Sequence, residues 1–170
     1  RPHRRPPETP MTDFRLRDAA PEDRPAVIAL FRALQAFEAA IEPNRAPPET
    51  TEPHVDALLA WAAAGGLVLL AEPAAGGAPV GLLIAGIAEE GPYVLPENRR
   101  VGVVSDLYVA PAHRRRGLAR ALLAEAEVRF RTAGLRRIEI TALAANPAAR
   151  ALYEAWSGAG PHHVTYAKAP

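Results

Sequence analysis

From Phe14 to Ala19 the chain alternates apolar and polar residues ("FRLRDA"), the period of a half-buried strand, and "APED" behind it suits a helix start. Between Arg24 and Glu38 the period changes. Val27, Leu30, Phe31, Leu34 and Phe37 recur at helical spacing until the prolines of "EPNRAPPETTEP" stop the pattern near Ile41. A second helix is predicted over "PHVDALLAWAAAG", closing at Gly65 and Gly66, and "LVLLAE" then reads as a short apolar strand. The turn "PAAGGAP" leads into "VGLLIAGIAEE", so residues 67 to 89 are predicted to form an antiparallel hairpin.

After the irregular "GPYVLPENRR" comes a further strand, "VGVVSDLYV". From Leu118 onward Ala119, Leu122, Leu123, Ala126 and Phe130 make one apolar helical face, with Glu125–Arg129 and Glu127–Arg131 as i,i+4 pairs on the wetted side. "RRIEITALAA" predicts a strand and "NPAARALYEAW" a helix with an Asn N-cap and Pro at its first position. "HHVTYAKA" predicts a closing strand. The order is β-α-α-β-β-β-α-β-α-β. It is mixed α/β, with antiparallel strands before the helix at 117 and a parallel neighbour after it.

Composition narrows the classes. With 170 residues, 49% of them hydrophobic, the chain is long enough for one domain with a proper core. A formal net charge of +1 argues against a dedicated nucleic-acid binder, so positive charge matters locally if at all. Cysteine is absent, which removes disulfides, thiolate zinc sites and a cysteine nucleophile. No apolar run approaches the roughly 20 residues needed to cross a bilayer and no signal peptide is visible, so no membrane role and a cytoplasmic location are expected. Residues 1–11, rich in proline and polar side chains, are expected to be a disordered extension, with the folded domain spanning 12–170.

The stretch "HRRRGLAR" stands where a strand ends and a helix begins. The first helical turn leaves backbone N–H groups unpaired and carries the positive end of the macrodipole, and phosphate oxygens satisfy both. Gly117 lets the backbone approach a ligand, Ala119 keeps the next turn free of bulk, and Arg114, Arg115, Arg116 and Arg120 add charged donors. The same residues can also be an ordinary basic surface, although arginines at that end oppose the dipole. The pattern is neither a Walker loop nor a dinucleotide fingerprint.

These residues resemble a known family. "HRRRGLARALL" is similar to the Q/R-x-x-G-x-G/A signature of the GCN5-related N-acetyltransferases (GNAT), with Arg114, Gly117 and Ala119 in the three defined places. "DLYVAP" resembles that family's fourth strand, and "NPAARALY" its N-x-x-A-x-x-L-Y segment, through Asn146, Ala149, Leu152 and Tyr153. The G-F pair that usually follows the tyrosine is replaced by "YEAWSGAGPHHV", which leaves the last helix end and hairpin open. The resemblance implies a mixed, mostly antiparallel sheet of about six to seven strands flanked by about four helices.

It also implies acetyl-CoA as co-substrate. The pyrophosphate would sit on the N–H groups of Arg115, Arg116, Gly117, Leu118 and Ala119, with Arg114 and Arg120 nearby. The pantetheine arm would lie along Leu107, Tyr108 and Val109. An N–H at Leu107 or Val109 would polarise the thioester carbonyl. Tyr153 is the candidate acid for the departing thiolate, and Asn146 a candidate contact to the cofactor arm that also serves as an N-cap.

The general base is open. Val103 stands where some relatives carry a glutamate, leaving Glu89, Glu90 and Asp106 as choices. His162 and His163 point to opposite faces of a strand and have no clustered partners, so no metal is expected, and His113 is expected to be exposed. The resemblance implies an acceptor site between the first two helices and the loop after the third strand, here residues 35–52 and 89–100. Their carboxylate excess, Glu38, Glu42 and Glu97 among it, favours a cationic acceptor such as a polyamine, an aminoglycoside or an amino-terminal peptide, and solvated loop charges would look the same. The expected activity is direct acetyl transfer to a primary amine in a ternary complex. A non-catalytic acyl-CoA sensor is the alternative, and a homodimer is an assembly the resemblance allows.

Overall fold

The alternation at the start of the chain becomes strand β1 (Phe14–Asp18) in a computed structural model that describes residues 13–42, 44–46, 50–156 and 160. Helices α1 (Arg24–Ala39) and α2 (Thr51–Ala63) follow, then strands β2 (Leu67–Pro73) and β3 (Gly81–Glu89). β4 (Arg100–Val109), α3 (Leu118–Thr132), β5 (Ile138–Ile140) and α4 (Pro147–Glu154) complete the described elements. The sheet has the order β1-β2-β3-β4-β5. Its first three pairings are antiparallel and the last, β4 with β5, is parallel.

Strand alternation sends side chains to two apolar layers. Leu69, Leu83, Ala85 and Val104 pack with Leu118, Leu122, Leu123 and Phe130 of α3. Leu70, Leu82, Ile84 and Tyr108 pack with Val27, Phe31, Leu34 and Val55 of α1 and α2. The largest of these side chains are almost fully excluded from water, each contributing about 1.5–3 kcal/mol of burial free energy. Gly102 is required by this packing, since a Cβ there would lie 2.6 Å from the Phe130 ring. On the outer face of α3 the two anticipated pairs form, Glu125–Arg129 at 2.8 Å and Glu127–Arg131 at 3.5 Å.

The strand predicted over "RRIEITALAA" is shorter than its composition suggests, with only Ile138–Ile140 paired. Its partner explains why. β4 meets β5 from Gly102 to Val104, and at the next residue, Ser105, the β3–β4 register shifts. The Ser105 hydroxyl donates to the Ile84 carbonyl at 3.1 Å, holding this bulge. Beyond it β4 and β5 separate, so, among the described residues, 141–145 have no strand to pair with. Among the described residues the sheet has five strands, against the six to seven expected. The closing strand predicted over "HHVTYAKA", the histidine pair within it and the extension at 1–11 lie outside the described residues.

Candidate active site

The separation of β4 from β5 exposes one edge of β4. The Ala110 N–H donates to the Val80 carbonyl at 2.8 Å on the β3 side, so by alternation Leu107 and Val109 turn their backbone groups toward the open side. Arg114 uses that opening: its Nε donates to the Val109 carbonyl at 2.9 Å. Among the described residues the Val109 N–H and both backbone groups of Leu107 have no partner on that side, so they can serve a ligand lying in the gap.

The chain then turns into α3 through an unusual backbone. Arg115 has φ 64° and is the only non-glycine with positive φ among the described residues, and Gly117 has φ 84°. The left-handed region costs an arginine about 1–2 kcal/mol, so tertiary structure must impose it. Left-handed residues placed among extended and helical ones turn successive N–H groups toward one point, which makes an anion-binding nest. The N–H groups of Arg115 through Arg120 find no protein acceptor among the described residues, and the first helical bond is Ala121 N–H to the Gly117 carbonyl at 3.0 Å. A Cβ on Gly117 would meet nothing within 4 Å, so glycine is required by the backbone angle and leaves open space above the nest.

These elements line a cleft of about 590 Å³ that runs from the nest, past Leu107, Tyr108 and Val109, to Asn146 and Tyr153 on α4. Leu34 and Phe37 of α1 close its other side. Asn146 lines the cleft and caps α4 by accepting from the Ala149 N–H at 3.1 Å, and its amide NH2 has no acceptor among the described residues. The Tyr153 phenol is pushed up to about 12 by burial and by the negative charges of Glu38 and Asp106. It holds its proton throughout the neutral range. Burial also pushes the Asp106 carboxyl up, with Glu38 adding to the shift, while the Ser105 hydrogen bond, His54 and Arg45 oppose it.

A sequence model of the acetyltransferase (GNAT) family matches residues 32–159, three quarters of the chain and all of this cleft. The chain belongs to the GNAT family. No curated protein sequence matches it, but solved structures share the fold. An aminoglycoside acetyltransferase, meta-AAC0020 from an uncultured soil metagenomic sample, is 19% identical, with 94% of this chain and 97% of that one covered at a TM-score of 0.70. The aminoglycoside N-acetyltransferase AAC(6')-Iy in complex with CoA is 16% identical over 95% and 99%, at 0.68. The BH1408 protein of Bacillus halodurans, as a tetramutant, is 18% identical over 91% and 99%, at 0.75.

Within this GNAT fold the anticipated arginines divide. Arg115 and Arg120 line the cleft, as do Leu118 and Ala119. Arg114 lines it too, but its guanidinium is held by the Val109 carbonyl and stacks 5.2 Å from the Phe37 ring and 5.7 Å from the Tyr108 ring. Arg116 lies 4.8 Å over Phe14 and pairs with Asp13 at 2.9 Å, so its side chain serves the start of β1 while its N–H belongs to the nest. The dipole opposition inferred from sequence is therefore offset by protein contacts at two of the four arginines. His113, expected to be exposed, is half-buried, with Nδ1 inaccessible and the ring edge-on to Phe14 at 5.7 Å.

The three carboxylates left open as bases also separate. Glu89 pairs with Arg100 in register, six residues along β3 from the Leu83–Leu107 pair, which is about 20 Å from Leu107. It is exposed and cannot reach an acceptor at the cleft. Glu90 is ion-paired with Arg137. Asp106 alone adjoins the cleft, one residue before Leu107 on the strand face that carries Tyr108. Leu152 and Tyr153 both line the cleft and both pack on the core. Glu38 and His54 were missed as neighbours of Asp106, because α1 and α2 meet β4 only in three dimensions.

Proposed function

We propose that this GNAT member transfers an acetyl group from acetyl-CoA to a primary amine by direct attack in a ternary complex. The observation that carries the reading is the continuous path from the nest at Arg115–Ala119, along the free β4 edge, to Tyr153. Pyrophosphate oxygens take the nest N–H groups, and the pantetheine arm extends the sheet along Leu107 and Val109. The Leu107 or Val109 N–H receives the developing oxyanion.

The acceptor ammonium first gives a proton to the Asp106 carboxylate, directly or through one water. Its nitrogen lone pair attacks the thioester carbonyl carbon, the C–N bond forms and the C–S bond breaks. Sulfur takes the Tyr153 proton, and the second proton shed by nitrogen restores the phenol. The products are an amide, CoA thiol and one proton released to solvent. Carboxylates around Tyr153 favour a cationic acceptor, the chemical class to which aminoglycosides, named for two of the structural neighbours, also belong.

The test is calorimetric titration with acetyl-CoA followed by thiol release with a panel of amines. Saturable binding near one site per chain with turnover is expected. No binding at millimolar ligand would remove the reading, and binding without turnover of any amine would reassign the cleft to a non-catalytic acyl-CoA sensor.

Asp106→Asn gives a second expected result, in which stability and activity move oppositely. Because burial raises this carboxyl above its usual 3.8, the folded chain binds the proton more tightly than the unfolded one. The stabilisation is complete below the ordinary carboxylate range and is lost as pH rises through the folded-state pKa. The variant is therefore expected to melt above the wild type near pH 8 but not near pH 4, while kcat/KM falls about tenfold. Thermal melts and initial rates across pH check both, and an unchanged rate would remove Asp106 as the base.

A further inference from the structure

Leu34 and Phe37 of α1 line the cleft, and Glu38, one turn beyond Leu34 on the same helix, is a carboxylate close enough to Tyr153 to act on its phenol. That carboxylate is occupied by the protein itself. Arg45, in the segment after α1, places its Nε 3.2 Å from Glu38 Oε2. The contact is built: Gln35 of α1 donates to the Ala46 carbonyl at 2.8 Å, and its amide oxygen accepts from the buried Thr51 hydroxyl of α2. The backbone bearing Arg45 is thereby fastened to the helix bearing Glu38. Both side chains keep access to water, Arg45 at 40% and Glu38 at 26%. Glu38 and Arg45 both act electrostatically on Asp106, and Glu38 also on Tyr153, which puts the four groups in one neighbourhood.

We infer that the Arg45 guanidinium is an internal stand-in for a second ammonium group of the acceptor, and that Glu38 receives this group when Arg45 is displaced. The acceptor class is then a diamine, polyamine or multiply aminated sugar. One nitrogen reacts beside Asp106 while another is held at Glu38. This rests on the acetyl-transfer reading for what the first nitrogen does, but the preference for two ammonium groups is an equilibrium property of Glu38 and Arg45. An arginine–carboxylate pair that keeps this much access to water is weak, so a cationic ligand that adds contacts along the cleft can exchange with it. A monoamine leaves the pair intact and gains nothing from Glu38.

The experiment is calorimetric binding of diaminoalkanes from propane to octane, each against the monoamine of the same chain, with and without saturating CoA. For the best-fitting length the diamine is expected to bind about tenfold more tightly than its monoamine, the effect of one added charged contact. In Arg45→Ala the diamine tightens about fivefold further and the monoamine stays put, because the competitor is gone. In Glu38→Gln the diamine falls to the monoamine's level. Equal binding of the two amines by the wild type at every length, no binding of either, or unchanged diamine affinity in Arg45→Ala would overturn the inference. Turnover in the same samples separates the two claims. Acetylation without diamine preference overturns the Glu38–Arg45 role alone, and diamine preference without acetylation overturns the enzymatic reading alone.

Discussion

Gly117→Glu is expected to weaken acetyl-CoA binding by at least about a hundredfold, read by calorimetry, while the protein still folds. The site of the change is the N-cap of α3, where φ is 84° and a Cβ would point into open space. No packing is lost, and the cost to the fold is about 1–2 kcal/mol of backbone strain. The cost to the ligand is larger. A carboxylate at this position competes for the N–H groups of Arg115 to Arg120 and repels the pyrophosphate it would adjoin. Gly117→Ala carries the same strain without the charge, so the difference between the two variants isolates the anion. If Gly117→Glu binds as the wild type does, the nest does not hold the phosphates.

The helix start and glycine turn of that candidate site were legible in advance because their determinants are local. A strand end, a basic run, one glycine and a helix of period 3.6 sit within twenty residues, and the chemistry follows from unpaired N–H groups that any helix start supplies. The left-handed Arg115 was not legible, since nothing in "HRRRGLAR" says which arginine turns. The partners of Arg114 and Arg116 were equally hidden. Phe37 is 77 positions from Arg114, and Asp13 is 103 from Arg116. Among the elements, α1, β3, β4, α3 and the Asn146-capped α4 follow from periodicity and capping. β5 was overestimated because strand propensity in "RRIEITALAA" is a property of the segment, whereas pairing depends on β4. β4 ends its pairing at Val104 for a reason seated in Ser105. The same separation that shortens β5 opens the edge of Leu107 and Val109, so the least predictable part of the sheet is the part that forms the cleft. The candidate bases separate in space for a related reason. Glu89 and Asp106 are equivalent carboxylates in sequence, and only the β3–β4 register shows that one stands beside Leu107 and the other about 20 Å away.

Tyr153→Phe is expected to lower kcat about a hundredfold with the KM for acetyl-CoA nearly unchanged. The lost hydroxyl is a proton donor to sulfur, a role that contributes about 10²–10⁴-fold when the donor is well placed. The ring's contacts with the α3 layer survive the substitution, so the fold does not report it. Because burial and the charges of Glu38 and Asp106 push the phenol up to about 12, it stays protonated through the neutral and mildly alkaline range. The wild-type rate should therefore show no alkaline loss from this group below about pH 10. A proton donor makes a further demand that a packing residue does not. Its loss matters most when the leaving thiolate is basic, so an activated thioester whose thiolate departs unprotonated should narrow the gap between variant and wild type. A deficit of equal size with both thioesters would leave Tyr153 as a wall of the cleft and pass the proton to water. Replacing Glu38 by Gln removes one of the charges that raise the phenol, so its pKa should fall in that variant, an effect readable by the ultraviolet absorbance of the tyrosinate. The same carboxylate would then tune the acid on one side and the acceptor on the other, linking the proton that leaves Tyr153 to the cation held at Glu38.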